Sequence, residues 1–225
     1  MANIGIIALD TEQCEPFLPL FLERGASWKF FCRGETTDAS SARDIDGVLI
    51  VGSNNPEGIS NPSIKPNKDL VGGILSAQGL VFLQEAIDND VPILGIDLGL
   101  QVLNLVLGGS PGVDVPGHSN ECVGSDGRPS FHRIWISPGS KLAAVIGSGG
   151  IVRVNSSHNQ GIREVHKAPR LIASAYSLED GVIEGLESPY HTWILAVQCH
   201  PERSGEVPRQ FSGLFEALVA YANKR

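Results

Sequence analysis

The chain has 225 residues, 42% of them hydrophobic and 19% charged, with a formal net charge of −8. That length supports one sizeable core, is short for two, and leads us to expect a single domain over residues 1–225. The acidic balance excludes a nucleic-acid binder, because no basic stripe exists to release counterions, and no apolar run reaches the roughly 20 residues of a membrane span.

The N-terminus, MANIGIIALD, lacks a basic segment followed by a long apolar one, so it reads as a first strand, Asn3 to Leu9, rather than a secretory signal. Cys14 to Arg24 follows as a helix with Phe17, Leu18, Phe21 and Leu22 on one face. Trp28 to Cys32 and Ile45 to Val51 are the next strands, and the βαβ order predicts a parallel sheet with right-handed crossovers. Gly52 to Asp69 is a Gly/Ser/Asn/Pro-rich loop at the carboxyl end of the third strand, where open α/β sheets bind ligands. It is an exposed connector or a rim offering backbone N–H groups to an oxyanion. Gln78 to Asn89 reads as a helix.

Val91 to Ser110 organises the rest of the chain. Ile93 to Ile96 is apolar without alternation, as expected of a parallel strand covered on both faces. A sharp turn at Asp97 leads into a helix from about Leu98 to Leu107. Gly95 and Gly99 flank Asp97 as in a nucleophile elbow, where small residues let a strand turn directly into a helix. The helix start offers free N–H groups and a positive dipole end to an anion. A tight packing turn without chemistry has the same signature.

Gly108-Gly109 ends that helix, and Pro111 to Pro129 is a second polar loop. Short strands follow at His132 to Ile136, Ile151 to Val154, Leu171 to Tyr176, Val182 to Gly185 and Ile194 to Gln198. A polar loop, Asn155 to Gly161, lies among them. Gln210 to Tyr221 is an amphipathic terminal helix with Phe211, Leu214, Phe215 and Leu218 on one face. AVQCHPE places His200 at the end of a strand with Glu202 two residues on, which suits a base held by an orienting carboxylate, or simply a polar strand end.

GIDLGLQ, NSSHNQG, GVIEGLE and AVQCHPE, in this order, resemble the class I glutamine amidotransferase superfamily, closest to the gamma-glutamyl-gamma-aminobutyrate hydrolase (peptidase C26) type. The resemblance implies an α/β, flavodoxin-like three-layer sandwich with a mainly parallel central sheet and a nucleophile elbow. It implies a Cys-His-Glu triad that hydrolyses a γ-glutamyl amide through a thioester. By position His200 is the general base and Glu202 orients it. The resemblance places Gly52, Ser53, Leu98, Gln101, Asn155, Ser156, Ser157, His158, Gln160 and Glu184 around the substrate.

The departure is at the nucleophile, where the family's Cys is replaced by Asp97. Ser53 stands for the second glycine of the family's oxyanion loop, Asn159 for a second His, and Cys199 for the Trp before the His. A carboxylate cannot replace the thiolate on an amide: the tetrahedral adduct expels carboxylate more readily than amine, and any product is an anhydride. Asp97 can instead displace a leaving group at saturated carbon as an ester-forming nucleophile. It can hold and deprotonate a water with His200, attacking a carbonyl directly. Otherwise it marks a catalytically inactive member that binds a ligand or protein partner, or an introduced substitution.

The expected function is therefore a C–N hydrolase acting on a small amide, imide or gamma-glutamyl-like substrate, with no cofactor and no metal. A homodimer is compatible with the sequence. Cys14, Cys32, Cys122 and Cys199 form no CxxC pair and suit a reducing cytoplasm. Cys199 precedes His200 on a strand and should face away from it. His118 and His132 match no metal-binding spacing and read as surface polar groups.

Overall fold

The computed structural model describes residues 1–9, 11–32, 44–52, 75, 77–118 and 130–225. In chain order the strands are β1 (Asn3–Ala8), β2 (Ser27–Cys32), β3 (Gly47–Ile50), β4 (Ile93–Ile96), β5 (Val113–Asp114), β6 (Ser130–Ile136), β7 (Gly150–Ser156), β8 (Gln160–Gly161), β9 (Ile172–Ser177), β10 (Ile183–Glu187) and β11 (Ile194–Val197). The helices are α1 (Leu18–Leu22), α2 (Ala77–Asp88), α3 (Leu98–Val106), α4 (Lys141–Ile146) and α5 (Gly213–Ala222).

The main sheet runs β2-β1-β3-β4-β11-β10-β9-β6-β7. Pairings from β2 through β11 are parallel, and those from β11 to β7 are antiparallel. β3, β4 and β11 are buried at every position, which is why they carry no polar alternation. Successive side chains still divide between two cores. Ile4, Ile6, Leu94 and Ile96 join Phe21, Phe211 and Phe215 on one face, whereas Ile7, Ile93 and Ile194 join Leu83, Leu98 and Leu103 on the other. The result is the three-layer α/β sandwich expected from the sequence.

Two helices differ in detail. The first begins as a 3-10 turn, Glu12–Phe17, and only five residues are α-helical. Pro16 and Pro19 remove N–H groups that a continuous α-helix would use. Phe17 and Phe21 are buried, but Leu22 is 69% exposed, so the expected apolar face is narrower than its spacing implied. At the other end a 3-10 turn, Arg209–Ser212, precedes α5, and Phe211, Leu214, Phe215 and Leu218 are all fully buried.

α4 escaped the sequence reading because six residues are too few for a periodic signal. Its caps are nonetheless explicit. Ser140 Oγ accepts from Ala143 N at 3.0 Å, the Glu187 carboxylate accepts from Lys141 N and Leu142 N, and Gly147 leaves at φ 86°. Among the described residues no helix is long and apolar enough to cross a membrane. Beyond Gly52, the loop expected over residues 52–69 lies outside the described residues, as do residues 119–129 and with them Cys122.

Candidate active site

β4 ends at Ile96 and α3 begins at Leu98, leaving Asp97 alone in the turn with φ 51° and ψ −105°. This is a sparsely populated backbone conformation for a residue with a side chain, costing on the order of 1–3 kcal/mol. The surroundings hold it. Asp97 N donates to Val197 O at 2.9 Å, and Leu100 N donates to Asp97 O at 3.0 Å. A Cβ at Gly95 would lie 2.8 Å from the Gly99 carbonyl carbon and oxygen, and one at Gly99 would lie 2.2 Å from Ile50 O. The two glycines thus allow the helix to start directly against the strand edge, as their spacing predicted.

Asp97 is fully buried and accepts a hydrogen bond from Gln198 Nε2 at Oδ1. Its Oδ2 lies 3.8 Å from His200 Nε2, and on the far side of the imidazole His200 Nδ1 is 2.8 Å from Glu202 Oε1. His200 Nε2 makes no hydrogen bond among the described residues. Burial pulls the His200 pKa down, but the hydrogen bond to Glu202 and the charges of Asp97 and Glu202 outweigh it, so the pKa is raised. His200, Glu202, Gly52 and Ile96 help line a cleft of about 220 Å³ at the carboxyl edge of the sheet.

A chain of polar contacts surrounds this core. Gln101, one turn into α3, donates from Nε2 to Gln160 O at 3.3 Å, which ties the elbow helix to β8; the loop expected over Asn155 to Gly161 is shortened to residues 157–159, because its ends pair as the last residues of β7 and the whole of β8. Asn155 spends its amide on the backbone of His200 and on Glu206 Oε2. Ser156 Oγ donates to His118 O at 2.6 Å, and His158 Nδ1 lies 3.0 Å from Gln160 O. Ser157 is half-buried in the same loop. Leu98 N–H is directed at Gly52 O, 3.5 Å away. Glu184 is buried on β10, where its backbone oxygen accepts from Gln198 N at 3.0 Å. Ser53 lies outside the described residues.

The elbow, the His-Glu pair and the parallel sheet are joined by sequence comparison. The peptidase C26 family model matches residues 32–202. The chain belongs to this family. It is 38% identical over 148 residues to a Mycobacterium tuberculosis protein provisionally named a glutamine amidotransferase, covering 64% of this chain and 46% of that one. It is 27% identical over 190 residues to the gamma-glutamyl-gamma-aminobutyrate hydrolase PuuD of Escherichia coli, covering 78% of this chain and 71% of that one. The chain spans only 46%, 58% and 62% of the lengths of three curated relatives that it matches at 30% identity or more. Among solved structures, the CTPS glutaminase domain of Trypanosoma brucei aligns with a TM-score of 0.68 at 16% identity, covering 100% of this chain and 95% of that one. A glutamine amidotransferase of Methylobacillus flagellatus aligns at 0.64 and 14%, covering 98% and 94%. At such identities these structures establish the fold alone.

In this peptidase C26 member burial bears on the state of three further side chains. Cys199 is buried, and burial together with the Glu184 and Glu202 charges pushes its thiol well above the ordinary range, so it is held as a neutral thiol. His118 and His132, expected at the surface, are not there. His118 is 5% exposed and the His132 ring 8%, and both rings pack against Glu184 with His158 beside them. Burial and the neighbouring His158 lower the pKa of His118. For His132, burial acts downward but the Glu184 carboxylate prevails and raises it. Sequence spacing missed this cluster because its members come from four separate segments of the chain.

Proposed function

We propose that this chain hydrolyses the C–N bond of a small amide, imide or γ-glutamyl-like substrate, with Asp97 and His200 activating water in place of the family's thiol. One observation carries the reading. His200 is held by Glu202 at 2.8 Å through Nδ1, while its Nε2 makes no hydrogen bond among the described residues and lies 3.8 Å from Asp97 Oδ2. A water within reach of both groups is placed to lose a proton to the neutral imidazole as its oxygen adds to the carbonyl carbon. Glu202 stabilises the imidazolium that forms. The tetrahedral oxyanion then collapses, the C–N bond breaks, and His200 returns the proton to the leaving amine. No acyl-enzyme forms, so the poor leaving-group balance of a carboxylate adduct is avoided. Membership of peptidase C26, and the relative named as a gamma-glutamyl-gamma-aminobutyrate hydrolase, support the substrate class.

A second reading, a member that binds a ligand without turnover, is favoured by the complete burial of Asp97 and its hydrogen bond from Gln198. The two are separated by assaying γ-glutamyl amides and related imides with the wild type, Asp97→Asn and His200→Ala. Turnover in the wild type that both substitutions abolish supports the hydrolase. Binding without turnover in all three supports the silent member. Asp97→Cys adds a third arm: γ-glutamyl amidase activity gained by that variant indicates that base, orienter and pocket remain suited to a thiol mechanism.

A further inference from the structure

The cluster around Glu184 brings together buried polar side chains whose facing atoms make no aligned hydrogen bond among the described residues. His118 follows β5, His132 lies on β6, His158 lies between β7 and β8, and Glu184 lies on β10. Glu184 and His158 are each 1% exposed. Neither Glu184 oxygen and neither His132 ring nitrogen makes an aligned hydrogen bond among the described residues. A buried carboxylate without donors costs several kcal/mol unless a positive charge compensates it.

The outer nitrogens of two imidazoles are already committed. His118 Nε2 lies 3.3 Å from Asp180 Oδ2, and His158 Nδ1 lies 3.0 Å from Gln160 O. Both partners are acceptors, which favours the tautomers with the proton on each outer nitrogen. The inner nitrogens, His118 Nδ1 and His158 Nε2, then present lone pairs to each other at 3.2 Å. Glu184 Oε1 faces the same point, 3.2 Å from His132 Nε2, 3.6 Å from His118 Nδ1 and 3.7 Å from His158 Nε2. Donor atoms of His118, His132 and Glu184 all lie within 4.8 Å of one another. Metal–ligand bonds of about 2.0–2.1 Å in a tetrahedron separate donors by roughly 3.3 Å. An acceptor oxygen behind the far nitrogen of a ligating histidine is the usual orienting device at such centres.

We propose that His118 Nδ1, His132 Nε2 and Glu184 bind one divalent transition-metal ion of the zinc class, with His158 Nε2, 3.2 Å from His118 Nδ1, drawn in as the fourth donor. Three imidazoles and one carboxylate suit zinc, cobalt or nickel, and do not suit calcium or magnesium, which take oxygen ligands. The ion ties the 157–159 loop and the segment after β5 to β10. It thereby steadies the loop leading into β8, where Gln101 reaches Gln160 O from the elbow helix. Its role is to position that loop, and the water-activating pair described above is separate from it.

The test is metal binding by the chelator-treated, purified chain, read by elemental analysis after dialysis against zinc, by the visible spectrum with cobalt, and by thermal unfolding. The expected result is one ion per chain, tetrahedral cobalt bands and a zinc-dependent rise in Tm. Glu184→Gln and His132→Ala should each weaken binding at least about 100-fold, since each removes a ligand. Should those variants fail to fold, Asp180→Asn serves in their place. Asp180 lies outside the ligand set and is partly exposed, and its loss should weaken binding about 10–100-fold in a folded chain. Wild-type protein that takes up no ion and shows no zinc-dependent Tm overturns the proposal. So does unchanged binding in the folded variants.

Discussion

Asn155 clamps both ends of one residue: its Oδ1 accepts from His200 N at 2.9 Å and its Nδ2 donates to His200 O at 3.0 Å. The same Nδ2 also reaches Glu206 Oε2 at 2.9 Å. A side chain expected to meet substrate is thus occupied in fixing where the strand end delivers the imidazole. Asn155→Ala removes these bonds and leaves buried backbone groups unpaired. It should destabilise the fold by about 2–4 kcal/mol in denaturant titrations. Any turnover should fall mainly in kcat, because the base is misplaced while the remaining pocket is kept.

The pH dependence follows from the raised His200 pKa. The ordinary value is 6.5, and the folded value lies above it. His200 therefore contributes stability that is fully present below about pH 6.5 and is lost as pH rises through the folded pKa. Turnover that needs the neutral imidazole should run the other way, increasing with pH across that same raised value. Glu202→Gln removes the negative partner at Nδ1 and should lower the His200 pKa. An NMR titration of the His200 ring, read beside the kcat/KM profile, checks both directions.

The elbow should be intolerant of the smallest enlargement. In Gly99→Ala the new methyl group would meet the Ile50 carbonyl oxygen at 2.2 Å, backbone against backbone, with no flexible side chain to yield. Overpacking of cores typically costs about 1–3 kcal/mol, and this contact belongs at or beyond the upper end. Thermal unfolding of Gly99→Ala, compared with a surface control such as Val165→Ala, tests it. Val165 is 82% exposed, and its substitution should be nearly neutral.

Thiol reagents should leave the folded chain's activity unchanged. Cys199 sits beside His200 in sequence, yet it is buried and its thiol is pushed well above the ordinary range. Mass spectrometry after iodoacetamide treatment of native protein should find Cys199 unmodified, with turnover retained. Labelling of Cys199 should appear only after unfolding. Loss of turnover together with labelling of Cys199 would make it the nucleophile.

What the sequence by itself determined is local. Four apolar residues without alternation, a glycine on each side of Asp97 and an apolar helix are contiguous, and their physics is contained within one turn of chain. The strand at Ile93–Ile96, the elbow and α3 could therefore be read directly, as could His200 and Glu202, which need only two residues of spacing. The tertiary structure alone decided what meets across the sheet. His118, His132, His158 and Glu184 come from segments whose order in the chain carries no spacing rule, and it takes the pairing of β5 with β8 as well as that of β7, β6, β9 and β10 to bring them to one point. A histidine looks polar in a sequence wherever it stands. Its burial depends on which strands close over it, and that is set by long-range pairing rather than by its neighbours.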